Sequence, residues 1–350
     1  MGIWFGCALP NYWANLREEQ RFAVETVALI DKNYRAYFAF SGPDRVRYLN
    51  AILTNNIKEL AAHQGIGSLL LHAQGRILAE IDTFAETDRL FCVSYRMIRE
   101  RLSEVLEKYI IMDDVTLTDE SDKFGTLAIE GPKAALVTQE LTGIDLQTMQ
   151  ELGWSEAALN SGDSGSAIPC RVIKRSPADV AGAEFLVIRA DLPRAWEMLL
   201  SAAKKHNGGP MGYEALSARR LVQSVPWFGY DFSEKQIPHE AGLETSHISY
   251  TKGCYTGQEI VERVRSRGQV NRRRVELLFS GDRVPESGEE LLVNEKPAGF
   301  VTRAAQSWYP PAILGMGYLG KENRSPGTIL HWNGGSATVV EFTNALKPTA

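Results

Sequence analysis

The chain has 350 residues, of which 44% are hydrophobic and 23% are charged. These proportions are typical of a soluble globular protein, and the length is sufficient for more than one packed core, so we expect two or three lobes. The formal net charge of −5 excludes nucleic-acid binding through overall charge, so any anion-binding role must come from a local patch.

The first two thirds of the chain predict helices and strands in irregular alternation. This pattern favours an α+β body over a doubly wound parallel sheet. The predicted elements, in order, are a helix over Leu16–Ile30, a strand over Tyr37–Phe40, a helix entered at Pro43, strands over Ile66–His72 and Arg76–Phe84 joined by a turn at Gln74-Gly75, a helix over Tyr95–Ile110, strands over Val115–Thr118 and Gly125–Glu130, a helix opened by Pro132, a loop at Asn160–Ser166, a strand over Phe185–Arg189, and a helix over Leu192–His206 capped by Asp191.

After Arg274 the pattern changes to short strands separated by glycine and proline, which predicts a small all-β barrel. Gly315–Gly320 matches G-x-G-x-x-G, but no helix follows it, so we interpret these glycines as bends in barrel strands. We expect a body over residues 1–275 and a barrel domain over residues 276–350. The predicted barrel strands are Val275–Phe279, Glu290–Val293, Gly299–Arg303, Ile313–Leu319, Ile329–Trp332 and Ala337–Phe342.

The cysteines, histidines and chain start limit the kinds of site. Four dispersed cysteines with no C-x-x-C pair argue against a zinc site and against a disulfide framework. The six histidines have no metal-ligand spacing, so we predict no metal. The chain start lacks the basic region of a signal peptide, and no apolar run approaches the length of a membrane span. The sequence therefore predicts a cytoplasmic protein with no membrane partner.

The most informative stretch runs from Thr251 to Arg263. Thr256 and Glu259 have the spacing of a capping box, which predicts a helix starting beside them. Glu259 and Arg263 lie one turn apart in the favourable acid-first order. Gly268 is a natural stop for this helix.

Cys254 lies two residues before the predicted helix cap and two after Lys252. The positive end of a helix and a nearby ammonium both favour the thiolate form of a cysteine. A free cysteine is more often a small buried hydrophobe, but the flanking glycines and the lysine reverse that preference here. We therefore predict Cys254 as a reactive thiol and Lys252 as its activator.

The segment Lys252–Arg274 also carries seven cations and two anions, a local charge of +5. Such a run is either a solvated face with internal ion pairs or a cradle for an anion. The anion could be the glutamate tail of a folate or an RNA phosphate. The sequence alone leaves these alternatives open.

The same stretch carries a family resemblance. K-G-C-Y-T-G-Q-E followed by V-x-R resembles the signature of the YgfZ family, folate-binding relatives of the glycine-cleavage T-protein linked to tRNA modification and iron–sulfur enzyme maintenance. Residues 41–56 and the run G-x-V-x-R-R-R-V at 268–275 are similar to T-protein segments. The resemblance implies a three-lobed T-protein (GcvT)-like α+β fold around a folate-sized hole, an aminomethyltransferase fold closed by a small C-terminal β-barrel. It also implies tetrahydrofolate or a derivative as cofactor, with Gln258, Glu259, Arg263 and Glu240 as candidate contacts.

Two departures from the T-protein pattern bear on activity. The aspartate of G-G-I-x-D-D that assists methylene transfer in T-proteins is matched by Ala79 in Gly75–Glu80, which implies that this chemistry is absent. The glutamate of R-x-E-x-G, which grips the pterin ring, is matched by Val222. Loss of that acceptor would weaken folate binding.

The resemblance implies a YgfZ-like, folate-associated accessory protein that supports iron–sulfur cluster enzymes, including tRNA-modifying ones. The first alternative is a folate-dependent one-carbon (aminomethyl) transferase, against which Ala79 argues. The second alternative is an RNA-binding module, against which the net charge of −5 argues. Folate and iron–sulfur enzymes are thus the expected partners, and an RNA contact is less favoured.

Overall fold

The computed structural model describes residues 1–160 and 166–341. Most of the predicted loop at Asn160–Ser166, and the end of the last predicted strand at Phe342, therefore lie outside the described residues. The elements in chain order are β1 (Gly2–Trp4), β2 (Cys7–Leu9), α1 (Leu16–Glu25), β3 (Ala28–Asp31), β4 (Arg35–Ser41), α2 (Arg45–Ile52), β5 (Gly65–Leu71), β6 (Ile77–Ala85), β7 (Leu90–Tyr95), α3 (Arg99–Lys108), β8 (Thr116–Asp119), β9 (Phe124–Glu130), α4 (Ala134–Thr142), β10 (Trp154–Leu159), β11 (Ile168–Lys174), β12 (Gly182–Ile188), α5 (Leu192–Lys205), β13 (Gly209–Pro210), α6 (Tyr213–Val222), α7 (Pro238–Ala241), α8 (Gln258–Arg267), β14 (Arg272–Gly281), β15 (Glu290–Val293), β16 (Lys296–Trp308), β17 (Pro311–Gly320), β18 (Ile329–Trp332) and β19 (Gly335–Val340).

Two large sheets, a small two-stranded sheet of β1 and β2, and a barrel organise these elements. One sheet has the strand order β5-β6-β7-β4-β8, and the second has the order β10-β11-β12-β9-β3-β13. The barrel β14-β17-β16-β15-β18-β19 closes because β14 also pairs with β19. The α+β fold with a C-terminal barrel is confirmed. The division at residue 275 stays a prediction, and the first barrel strand begins at Arg272.

Separate apolar cores hold the parts together. Helices α2 and α3 cover one face of the first sheet, and α4 and α5 cover one face of the second. A central core packs α6, α7 and Tyr255 against Phe5 and Tyr34. This arrangement leaves the opposite faces of the two sheets near one another, which is where the main cavity lies.

The barrel is attached to the body by apolar and charged contacts. Leu221 of α6 packs with Leu314 and Met316 of β17. Arg303 donates a hydrogen bond of 2.6 Å to Asp231, and both side chains are buried. Glycine permits the close strand packing here, because a Cβ at position 317 would lie 2.5 Å from a carbonyl oxygen of β16. The interpretation of Gly315–Gly320 as strand is confirmed.

Three local predictions are wrong. The helix predicted over Leu16–Ile30 ends at Glu25, because the residues after it pair with β9 as strand β3. The helix predicted from Tyr95 begins at Arg99, since Tyr95 ends strand β7. Asp191 makes no side-chain capping hydrogen bond to α5. Within the described residues, no helix is long and apolar enough to cross a membrane.

Candidate functional site

A cavity of about 330 Å³ lies between the two sheets, α6, the segment after α7 and the first barrel strand. This volume is within the range of small-molecule sites. The wall combines aromatic, aliphatic and charged side chains. The lining residues used below are Lys32, Arg35, Glu80, Asp82, Tyr95, Arg175, Arg220, Ser224, Ser246, His247 and Arg274.

Glu184 is the centre of a buried ion-pair cluster behind one wall of the cavity. Its carboxylate lies 2.8 Å from Lys32 and 3.0 Å from Arg35, and 3.6 Å from Arg175. Asp82 completes the cluster by pairing with Arg175, and it lies 3.6 Å from Arg35. The cluster holds the guanidinium groups at the cavity surface by charge pairing.

A second buried pair extends this cluster towards α6. Arg220 donates two hydrogen bonds to Glu130 and one of 2.7 Å to Gln223. Lys32 lies 3.7 Å from Glu130, which joins the two pairs. Buried charges persist in proteins only when they are paired and hydrogen-bonded, so the polar wall is built as one unit.

Glu80 presents a carboxylate to the cavity from β6. Successive residues of a strand point to opposite faces, so Ala79 and Ile81 pack into the core under α2 and α3, while Glu80 and Asp82 line the cavity. An aspartate at position 79 would point into the apolar core and not into the cavity, and the absence of the transfer chemistry stays a prediction. The acidic position that faces the cavity is Glu80, and it is occupied.

Glu80 is held by two hydrogen bonds. The Tyr95 hydroxyl donates to one carboxylate oxygen at 2.7 Å, and His247 Nε2 lies 3.2 Å from the other. Burial alone would raise the pKa of Glu80, but the hydrogen bond and charge of His247, the Tyr95 hydroxyl and Arg175 together lower it below its usual value. Glu80 is therefore ionised at neutral pH.

Two polar atoms of the cavity wall are left without partners. Within the described residues, Ser224 Oγ and Arg35 Nε are buried and have no hydrogen-bond partner. A buried polar group without a partner costs free energy. These atoms are suited to meet the polar groups of a ligand in the cavity.

Val222 lies elsewhere. It packs beside Leu314 and Met316 at the barrel interface, whereas Arg220 and Ser224 line the cavity. The helical geometry of α6 therefore turns position 222 away from the cavity, and the assignment of Val222 as a lost pterin contact is wrong for this chain.

The helix predicted from the Thr251–Arg263 stretch starts differently from the prediction, but it ends where predicted. Helix α8 begins at Gln258, and its N-cap is Gly257 with φ of +81° and no side-chain capping bond, so the predicted Thr256–Glu259 capping box does not form. Gly257 lies close to the turn between β5 and β6, where a Cβ would sit 2.7 Å from the carbonyl oxygen of His72. The Glu259–Arg263 pair, at 2.8 Å, and the stop at Gly268 are confirmed.

Lys252 contacts helix α2. Its ammonium donates to the carbonyl oxygens of Asn50 at 2.6 Å, of Asn55 at 2.9 Å and of Leu53. A cation there satisfies carbonyls at the C-terminal end of a helix. Burial and, to a smaller extent, the charge of Lys58 lower the pKa of Lys252 to about 8. These contacts give Lys252 a structural role at the end of α2. Its role as activator of Cys254 stays a prediction.

Cys254 is exposed, whereas Cys92 and Cys170 are buried. The neighbouring side chain of Tyr255 is buried in the central core, and a Cβ at Gly253 would meet no atom within 4 Å. Packing therefore accounts for the tyrosine of the motif and leaves the thiol free at the surface. The reactive role of Cys254 stays a prediction.

The four predicted cofactor contacts are not brought to the cavity. Gln258, Glu259 and Arg263 lie on α8, and the exposed Glu259 pairs with Arg263. Glu240 lies on α7, where it accepts from the backbone N–H of Ile237 at 3.2 Å and pairs with Arg272 at 3.0 Å. None of the four lines the cavity, and their role as folate contacts stays a prediction.

Several arginines of the basic segment have carboxylate partners. Besides the pairs above, Arg273 lies 2.6 Å from Glu244, and Arg265 lies 3.5 Å from Glu262. Arg274 instead donates to the carbonyl oxygen of Ala241 at 2.9 Å and lines the cavity. Internal pairing agrees with the interpretation of this segment as a solvated face.

Comparisons with known proteins agree with this architecture. A family model described as the GCVT N-terminal domain matches residues 1–248. The chain is 25% identical to an aminomethyltransferase of Anoxybacillus flavithermus over 305 residues, 86% of this chain and 81% of that protein. It is 26% identical to an aminomethyltransferase of Exiguobacterium sibiricum over 310 residues, 88% of this chain and 81% of that protein. The crystal structure of glycine cleavage system aminomethyltransferase T from Bartonella henselae superposes with a TM-score of 0.85 at 19% identity, covering 97% of this chain and 92% of that one, so the two folds are alike.

Proposed function

Since the chain belongs to the family of the GCVT N-terminal domain, we propose that its central cavity binds tetrahydrofolate or a derivative of it. The cavity has the volume of a small-molecule site. The unpartnered Ser224 Oγ and Arg35 Nε could meet the polar edge of a pterin, and Arg274 could meet a carboxylate. A bound folate supplies nitrogen atoms that carry a one-carbon unit.

We propose further that the protein is a folate-dependent one-carbon transferase of the aminomethyltransferase type. The observation that carries this proposal is the carboxylate of Glu80 in the cavity wall, held by Tyr95 and His247. In this position Glu80 can accept a proton from an amine nitrogen or hold a developing positive charge. The curated relatives that cover most of the chain are named aminomethyltransferases.

Titration calorimetry with tetrahydrofolate tests the cofactor. We expect one binding site per chain and an affinity in the micromolar range or better. Transfer of the methylene carbon from an aminomethyl donor to tetrahydrofolate, which frees the donor's carrier group and releases ammonia, tests the reaction; the folate-dependent release of ammonia is measured. Absence of heat at high ligand concentration would overturn the cavity assignment, and binding without transfer would overturn the reaction alone.

The second candidate is a YgfZ-like accessory role in supporting iron–sulfur cluster enzymes, including tRNA-modifying ones. The observation that favours it is the exposed thiol of Cys254 within K-G-C-Y-T-G-Q-E. Burial raises the pKa of the other three thiols: Cys7 moderately, and Cys92 and Cys170 to about 12. We therefore expect alkylation at neutral pH to occur first at Cys254.

Replacement of Cys254 by serine separates this role from folate chemistry. The side chain is exposed, so we expect unchanged stability and tetrahydrofolate affinity, because the cavity lies elsewhere. In a strain that lacks its own YgfZ-type protein, the variant should fail to restore iron–sulfur enzyme activity, whereas Cys7→Ser should restore it. Full restoration by Cys254→Ser would exclude a thiol-dependent accessory role.

A further inference from the structure

A hydrogen-bonded series of four side chains connects solvent with the carboxylate of the cavity. Ser246 Oγ lies 2.7 Å from Nδ1 of His247, and His247 Nε2 lies 3.2 Å from Glu80. Tyr95 then donates to the other oxygen of Glu80 at 2.7 Å. Ser246 is exposed at one end of the series, and Tyr95 is buried at the other.

Two backbone hydrogen bonds and one close contact to the ring hold His247. Its N–H donates to the carbonyl oxygen of Leu243 at 3.0 Å, and its own carbonyl oxygen accepts from the Thr54 hydroxyl at 2.6 Å. Gly67 faces the ring so closely that a Cβ there would lie 3.4 Å from it. The imidazole is therefore held in one place opposite Glu80.

We propose that His247 is a positioning residue for Glu80, which orients its carboxylate and stabilises the ionised form through the hydrogen bond from Nε2. This inference rests on the proposed function, because it concerns the same cavity. His247 is not required to touch the folate. It acts through the carboxylate that does.

Ser246 completes the arrangement because a hydroxyl group both donates and accepts. When the imidazole is neutral, a hydrogen bond donated by Ser246 to Nδ1 places the ring proton on Nε2, where it points to Glu80. When the imidazole is charged, Nδ1–H donates to the same hydroxyl. The contact with Glu80 is thus kept in both states, and only the charge changes.

Other groups around Glu80 also favour or oppose the ionised form of its carboxyl group. Tyr95 donates to Glu80, and the positive charge of Arg175 favours the ionised carboxylate. Asp82 opposes that effect, but it is itself paired with Arg175 and faces Arg35. Among the neighbours that favour the ionised carboxylate, His247 has the largest effect, through its hydrogen bond and its charge.

Carbon-13 NMR of the labelled apo-protein measures the titration of Glu80 directly. Its carboxyl resonance is identified by its loss in Glu80→Gln. His247→Gln keeps an amide donor but removes the imidazole, so we expect the pKa of Glu80 to rise. Ser246→Ala should cause a smaller rise, since the ring can then choose the wrong tautomer. His206→Gln is the matched control, because His206 lies 2.9 Å from Glu140 outside the cavity.

The outcomes separate this inference from the proposed function. An unchanged Glu80 titration in His247→Gln would overturn the inference, whatever the activity. The expected shift in a protein without folate-dependent transfer would support the coupling and contradict the proposed reaction. If transfer is measurable, the acidic limb of its pH profile should move upwards in His247→Gln by the same amount, with little change in KM.

Discussion

Replacing Glu80 by glutamine is expected to lower the rate of folate-dependent transfer by about 10²–10⁴-fold, the usual contribution of a positioned acid–base group. Glutamine has nearly the same shape and can still accept from the Tyr95 hydroxyl that now lies 2.7 Å away. It can neither take a proton nor stabilise a positive charge. We therefore expect kcat to fall far more than tetrahydrofolate affinity, which calorimetry measures separately.

Glu244→Gln is the matched control for this change. Its side chain is 16% exposed and pairs with one arginine at 2.6 Å, while the side chain of Glu80 is 21% exposed. Glu244 does not line the cavity, so its replacement should leave the rate nearly unchanged. Equal losses in the two variants would indicate a general loss of fold, and an undiminished rate in Glu80→Gln would show that the cavity carboxylate does no chemistry.

The position of this carboxylate could have been read from the sequence. The strand over Arg76–Phe84 was predicted, and its alternation puts residues 80 and 82 on one face and residues 79 and 81 on the other. Matching the T-protein pattern letter by letter assigned the function to Ala79. The strand period places Glu80 on the face opposite Ala79, and the structure shows Glu80 lining the cavity.

The local sequence predicted an element best where the residues of that element alone determine its structure. The barrel strands carry β-branched and aromatic residues between glycines, and α8 ends at a glycine in the left-handed conformation as predicted. The start of α8 was predicted less well. Gly257 takes the N-cap position, where it packs closely against the turn between β5 and β6. Contacts of that kind join residues far apart in the chain and leave no local pattern.

The buried ion-pair cluster had no sequence signal for the same reason. Its members lie on β4, β6 and β12 and directly after β3 and β11. Each charge looks like an ordinary surface residue in its own segment. Only the pairing of β12 with β9 and of β9 with β3 brings Glu184 beside Lys32. The sequence therefore indicated the exposed motif and a folate-sized hole, but not the residues that line the cavity.

Replacing Glu184 by glutamine is expected to cause the largest loss of stability, about 3–5 kcal/mol, because it removes the nearest anion of two buried cations. Lys32 and Arg35 lie 2.8 and 3.0 Å from Glu184 in a buried site, and both would lose their shortest ion pair. Urea unfolding monitored by tryptophan fluorescence measures the loss. Glu156→Gln is the control, since Glu156 is 67% exposed and pairs with Arg171 at 3.1 Å; an exposed pair contributes about 0–1 kcal/mol.

The pH dependence of this loss identifies its electrostatic origin. Burial alone would raise the pKa of Glu184, but the charges of Arg35, Lys32 and Arg175 outweigh it and hold the pKa far below its usual value. A carboxyl group with a lowered pKa contributes stability above its unfolded pKa of about 4.3, and this contribution is lost as the pH falls towards the folded value. The wild-type protein should therefore lose stability on acidification below about pH 4.3 more steeply than Glu184→Gln, so that the two unfolding curves approach each other. A difference between them that stays constant from neutral to acidic pH would mean that Glu184 stabilises the fold through packing and not through its charge.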